Sequence, residues 1–209
     1  MSEHDRVILS RAWMLDAVEF HRELDQLLDA SPGPDGLLRL RHRAVEIWHS
    51  KDPIVHAYVD SLPTAGADDW ESSFEEAHLV EWYRVVMAPY LIPTRAYRAP
   101  HVLKRRLPDL GWTPADARRL ALGRELQLLV EAYGSPAVLD AVRPHLTLGN
   151  KGWLAQEDVE LALRRLRALD RELFRGRSEL VPLVENAYEV LEAAATKPDH
   201  VLVMVSNWA

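Results

Sequence analysis

The chain has 209 residues, 48% hydrophobic and 27% charged, enough to bury a core as one globular domain over residues 1–209. Its net charge of -7 argues against a general nucleic-acid binder, or a protein held on anionic lipid by charge, because both need excess Lys and Arg. The absence of cysteine excludes disulfides, thiolate nucleophiles, iron–sulfur clusters and Cys-ligated zinc, so any metal must use His, Asp or Glu.

The N-terminus, Met1-Ser2-Glu3-His4-Asp5-Arg6, is polar, and Arg11 interrupts the apolar stretch after it. Neither feature suits a secretory signal, no apolar run reaches membrane-spanning length, and the expected location is cytoplasmic. Val7-Ile8-Leu9 reads as a short strand, and from Ser10 the apolar residues Trp13, Ala17, Phe20, Leu24, Leu27 and Leu28 fall at helical spacing. A turn at residues 31–36 precedes a second helix through Leu37, Leu38, Val45 and Trp48. Asp52-Pro53 restarts the chain as a third helix, with Asp52 as N-cap. Residues 63–71 look like a linker, and Ser72 or Ser73 caps a fourth helix whose apolar face includes Leu79, Val80, Trp82, Tyr83 and Val86.

The prolines at 89, 93, 100 and 108 predict a loop-rich excursion over residues 89–112 with one helical patch around Val102 to Leu107 and no long regular element. Thr113-Pro114 then opens a helix that runs through Leu120, Leu126, Leu129 and Val130 to Gly134, and Ser135-Pro136 starts a short successor. Beyond a turn at residues 149–152 come helices over about 155–174 and 178–195. The chain closes on Val201-Leu202-Val203-Met204-Val205, an unbroken apolar run that suits a strand buried on both faces, in the middle of a sheet beside Val7-Ile8-Leu9. The expected fold is α+β, predominantly α-helical, with a small antiparallel sheet involving the N- and C-terminal strands.

The stretch Gly152-Trp153-Leu154-Ala155-Gln156-Glu157-Asp158-Val159, leading into Leu163-Arg164-Arg165-Leu166-Arg167-Ala168-Leu169, resembles the C-terminal part of the YfbM-like family of uncharacterised bacterial proteins. The closing helix and strand are similar as well. The resemblance covers about the last quarter of the chain, implies an α+β fold with a helical majority, and brings no catalytic residues.

No G-x-G-x-x-G, P-loop, H-E-x-x-H or G-x-S-x-G motif occurs, and catalysis is left open because sites are also built from residues scattered in sequence. The chain does invert its charge midway. Residues 52–81 carry eight acids (Asp52, Asp60, Asp68, Asp69, Glu71, Glu75, Glu76, Glu81) and no Lys or Arg. Residues 84–106 carry six cations (Arg84, Arg95, Arg98, Lys104, Arg105, Arg106) and no acid. The two segments can neutralise each other, or they can form surfaces that dock an oppositely charged protein or an anionic, phosphate-bearing small molecule. Nucleic acid is the weakest of these readings.

The residues singled out for partner binding are Asp68, Asp69, Trp70 and Glu71 on the acidic side, with Arg95, Arg98, Lys104, Arg105 and Arg106 on the basic side. Trp70 stands among acids, where an aromatic serves as an interface anchor or folds back as a staple, whereas Trp13, Trp48, Trp82, Trp112 and Trp153 fall where core residues are expected. The alternative is a metal-dependent enzyme holding iron, manganese or zinc. Glu46-x-x-His49 and Glu75-x-x-His78 each set a carboxylate and an imidazole on one helical face, with Glu19 or Glu23 as further ligands. A chain this rich in Glu and His produces such spacings by chance. A third reading is a structural subunit of a homo-oligomer.

Overall fold

A computed structural model describes residues 9–29, 34–59, 79–98, 100–136, 138–139 and 152–206. The fold is α+β and mostly helical, with one small antiparallel sheet. The chain divides into two compact units. One comprises Met1–Met14, Pro93–Arg124 and Lys151–Ala209, and the other Leu15–Ile92 and Glu125–Asn150.

The first unit is built on the sheet. Its strands are β1 (Leu9–Leu15), β2 (Leu91–Arg98), β3 (Arg124–Glu125), β4 (Gly152–Leu154) and β5 (Val201–Ser206), in the order β2-β1-β5-β4-β3. The apolar run of residues 201–205 is thus the central strand, with β1 as one neighbour, as its composition implies. Val201, Leu202, Val203 and Met204 are all buried, so both faces of β5 are covered. β4 pairs antiparallel to β5, with Trp153 opposite Val203 and Leu154 opposite Leu202. Leu202, Met204, Leu154, Ala12, Met14 and Tyr97 join the apolar faces of the helices α5 (Pro100–Arg106), α6 (Pro114–Leu122), α8 (Gln156–Arg167) and α9 (Val181–Ala195) in one core.

Four expectations need correction. The helix expected over about 155–174 ends at Arg167, and a separate 3-10 turn covers Arg171–Phe174. The first strand covers Leu9–Leu15, so Trp13 lies on β1 and the helical period starts only at α1 (Ala17–Asp29). The alternation of residues 9–15 is masked in the sequence because both faces are apolar where the strand is buried. The supposed loop-rich excursion over residues 89–112 holds an eight-residue strand, β2, ahead of the expected helical patch, which forms α5. Pro93 is tolerated because β2 is an edge strand, where a missing N–H leaves no gap in the ladder, and Pro100 occupies the first position of α5.

The single helix expected from Thr113 to Gly134 is two helices, α6 and α7 (Leu126–Tyr133), separated by β3. Gly123 breaks it at φ +72°, and Gly152 lets the two backbones meet, since a Cβ there would stand 1.9 Å from the Leu122 carbonyl oxygen.

Side chains fix the connections. Thr113 caps α6 by accepting from the Asp116 N–H at 3.1 Å. Gln156, the first residue of α8, donates from Nε2 to the carbonyls of Lys197 at 2.9 Å and His200 at 2.7 Å, holding the turn between α9 and β5. On the outer edge of β2, the Asn186 amide of α9 donates to Ala96 O at 2.9 Å and accepts from Arg98 N at 2.7 Å, standing in for a neighbouring strand.

The second unit is helical. α1 packs on α2 (Pro34–Trp48) and α7, α2 packs on α4 (Leu79–Met87), and α3 (Pro53–Val59) packs on the 3-10 turn Ala88–Tyr90. Asp52 caps α3 as expected, accepting from Ile54 N at 2.8 Å. Phe20, Leu24, Leu40, Ile47, Tyr58, Tyr83 and Val86 are among the residues of its interior.

Candidate partner-binding surface

The six cations of residues 84–106 do not form one patch. Arg84 belongs to the second unit and is only 3% exposed, on a helix whose residues 82–87 are all buried. The other five lie in the first unit, on β2 and α5. Leu103 turns inward and α5 packs on α6, which directs Lys104 and Arg105 to solvent.

These five differ in what they hold. Arg95 reaches Glu189 of α9 at 2.6 Å, and Arg106 is shared between Asp109 at 3.1 Å and Glu179 at 3.4 Å. Their acids come from the first unit rather than from residues 52–81. Arg98, Lys104 and Arg105 are exposed and make no ion pair among the described residues. His101 lies one helical turn before Arg105. Its imidazole is held below the usual histidine range, first by partial burial and then by the positive charge of Arg105.

Three other arginines of the first unit sit beside both an aromatic ring and a carboxylate. Arg124 lies 5.2 Å over the Trp153 ring while bonding Asp158 at 2.7 Å and Glu157 at 2.6 Å. Arg165 lies 5.7 Å over Trp112 and pairs with Asp116. Arg167 lies 5.5 Å over Tyr188 with Glu192 at 3.6 Å. Each guanidinium has an aromatic ring and a carboxylate beside it, and Arg167 also donates from Nε to the Tyr188 hydroxyl at 2.9 Å. The cleft lined by Trp112, Asp116, Arg119, Asp158 and Arg165 is closed by such pairs and encloses about 20 Å³, room for roughly one water molecule.

Asp68, Asp69, Trp70 and Glu71 of the acidic segment, and the proposed ligands Glu75 and His78, lie outside the described residues. Glu46 and His49 are exposed near the end of α2. Glu46 is 3.3 Å from Arg43, which also reaches Glu23 at 3.2 Å, and Glu19 pairs with Arg22. No group of three or more His, Asp or Glu side chains suited to a metal gathers among the described residues.

Sequence reasoning passed over His21, which is 1% exposed in the second unit. Its Nδ1 is 2.7 Å from the Ala17 carbonyl and its Nε2 is 3.0 Å from the Tyr83 hydroxyl, and the ring stacks on Tyr133 at 6.0 Å. A carbonyl only accepts, so Nδ1 carries the hydrogen and Nε2 accepts from Tyr83. Burial lowers the pKa of this ring, outweighing the Ala17 hydrogen bond and the charge of Asp25. The cluster is a satisfied polar element of a core, closed to ligands.

No helix among the described residues is long and apolar enough to cross a membrane. No protein-family model matches the chain, and comparison with curated proteins and with solved structures finds no match.

Proposed function

We propose that the protein is a binding module whose surface at Arg98, Lys104 and Arg105 docks an acidic partner protein. The observation that supports this reading is that these three cations stand exposed without an ion pair among the described residues, while Arg95 and Arg106 beside them are neutralised from within the unit.

A fluorescent poly-glutamate peptide is the direct probe. The wild-type chain is expected to bind it with an affinity that falls as salt is raised, since exposed charges are screened beyond a Debye length of about 8 Å at physiological ionic strength. Lys104→Glu together with Arg105→Glu should weaken binding about tenfold. The melting temperature should stay nearly unchanged, because exposed charges add little stability. Undiminished binding by the double variant would remove this surface from consideration.

A further inference from the structure

We propose that the groove on α9, between β2 and the end of α8, binds a small zwitterion whose ammonium group is flanked by carboxylates on both sides: an acidic amino acid, or a dipeptide that begins with one. The groove shares no residue with the surface at Arg98, Lys104 and Arg105, and its ligand does not depend on that reading.

Charges from three elements of the first unit set the recognition. On one side of α9, Asn186 bonds the edge of β2 and Glu189 pairs with Arg95 of β2 at 2.6 Å. On the other, the Tyr188 hydroxyl accepts from Arg167 Nε of α8 at 2.9 Å and donates to Glu192 at 2.7 Å, which sets Glu192 beside Arg167. Glu189 and Glu192 are i and i+3 on the helix and therefore neighbours on its surface. The order across α9 is Arg95, Glu189, Glu192, Arg167, that is, cation, anion, anion, cation. The groove they line holds about 490 Å³, the size of a small-molecule site, and Leu163, Ala193, Ala195 and Thr196 complete its wall.

Each glutamate meets an arginine on its outer side, while the two like charges face each other across the middle. An ammonium group placed between them relieves that repulsion, and carboxylates on either side of it then reach Arg95 and Arg167. The exchange of partners costs little. These four side chains are 49% to 65% exposed, where ion pairs add little stability, and the Arg167–Glu192 contact is already long at 3.6 Å. A dicarboxylate without an ammonium group is repelled by the central glutamates, and a diamine by the arginines, so the groove selects for both signs in one molecule.

Backbone amide NMR shifts during titration with glutamate, glutamyl-glycine, glutarate and putrescine read the outcome. At least one of the two zwitterions should shift Ala193, Ala195 and Thr196 with an affinity on the order of 1 mM, and the tighter of them gives the length of ligand that fits. Glutarate and putrescine should bind at least about tenfold more weakly. Glu189→Gln with Glu192→Gln, and separately Arg95→Gln with Arg167→Gln, should each weaken zwitterion binding about tenfold. Ala195→Leu retains all four charges at an exposed position and should obstruct the groove, which guards against a folding defect in the charge variants. Lys104→Glu with Arg105→Glu should leave the titration unchanged.

Absence of shifts at these residues with both zwitterions overturns the proposal, as does glutarate or putrescine binding as tightly, or binding that survives both pairs of Gln substitutions. Loss of binding in the Lys104/Arg105 variant would place the ligand on the basic surface and overturn it equally.

Discussion

Burial holds the His21 ring neutral, and that makes the second unit sensitive to acid. The unfolded chain binds a proton at His21 below about pH 6.5, whereas the folded ring, with its pKa lowered by burial, resists it. The stability His21 contributes is therefore complete above about pH 6.5 and is lost as pH falls through the folded value, with a slope limited to about 1.4 kcal/mol per pH unit for one proton. Urea unfolding at pH 7.5, 6.5 and 5.5 should show a shallower decline in His21→Gln than in the wild type. Parallel declines would mean that the acid sensitivity arises elsewhere. The burial of His21 was legible in part, since it follows Ala17 by four residues and precedes Leu24 by three, on the stripe that faces the core. Nothing comparable marks Arg84, because a charged residue in an amphipathic pattern is read as exposed, and only packing on both sides of α4 reveals otherwise. Arg98, Lys104 and Arg105 were legible as a basic run, but their distinction from Arg95 and Arg106 depends on acids about 3 to 94 residues away, which no spacing rule supplies.

At the scale of elements, misreadings arise where glycine or proline has a tertiary reason. A helix from Thr113 to Gly134 is the natural reading of its leucine spacing, and Gly123 looks like a tolerated weak point within it. The backbone of β4 passes close enough that a side chain at Gly123 would meet Trp153 N at 2.6 Å, so the chain turns there into β3. Gly152→Ala should consequently cost about 2–4 kcal/mol in chemical denaturation, the scale of overpacking at a backbone contact with no side chain to give way. A neutral substitution would show that β3 and β4 are not held backbone to backbone. Likewise, the prolines disguised β2, although an edge strand is a place that accepts Pro93. The caps at Asp52 and Thr113 were legible because they are local: a side-chain oxygen, a proline and an N–H within four residues.

Over the whole molecule, the central strand was the most readable feature and the division into units the least. Five consecutive apolar residues bounded by Pro198 and Asp199 on one side can be satisfied only in an interior, whereas the two units interleave along the sequence with no change of composition to mark where the chain passes between them. Because β5 lies between β1 and β4, removing residues 201–209 should leave the first unit without its organising strand. Such a chain should bind a hydrophobic dye and lose cooperative melting, and retention of a sharp transition would show that the sheet tolerates the loss. The same order has a meaning in time. β5 follows all its partners in sequence, so during synthesis β2 with β1, and β3 with β4, emerge as two separate ribbons, each with one side awaiting a strand not yet made. The interval in which those edges stand open is set by the translation of β5, and it is then, rather than in the finished fold, that this sheet is most exposed to pairing with the wrong chain.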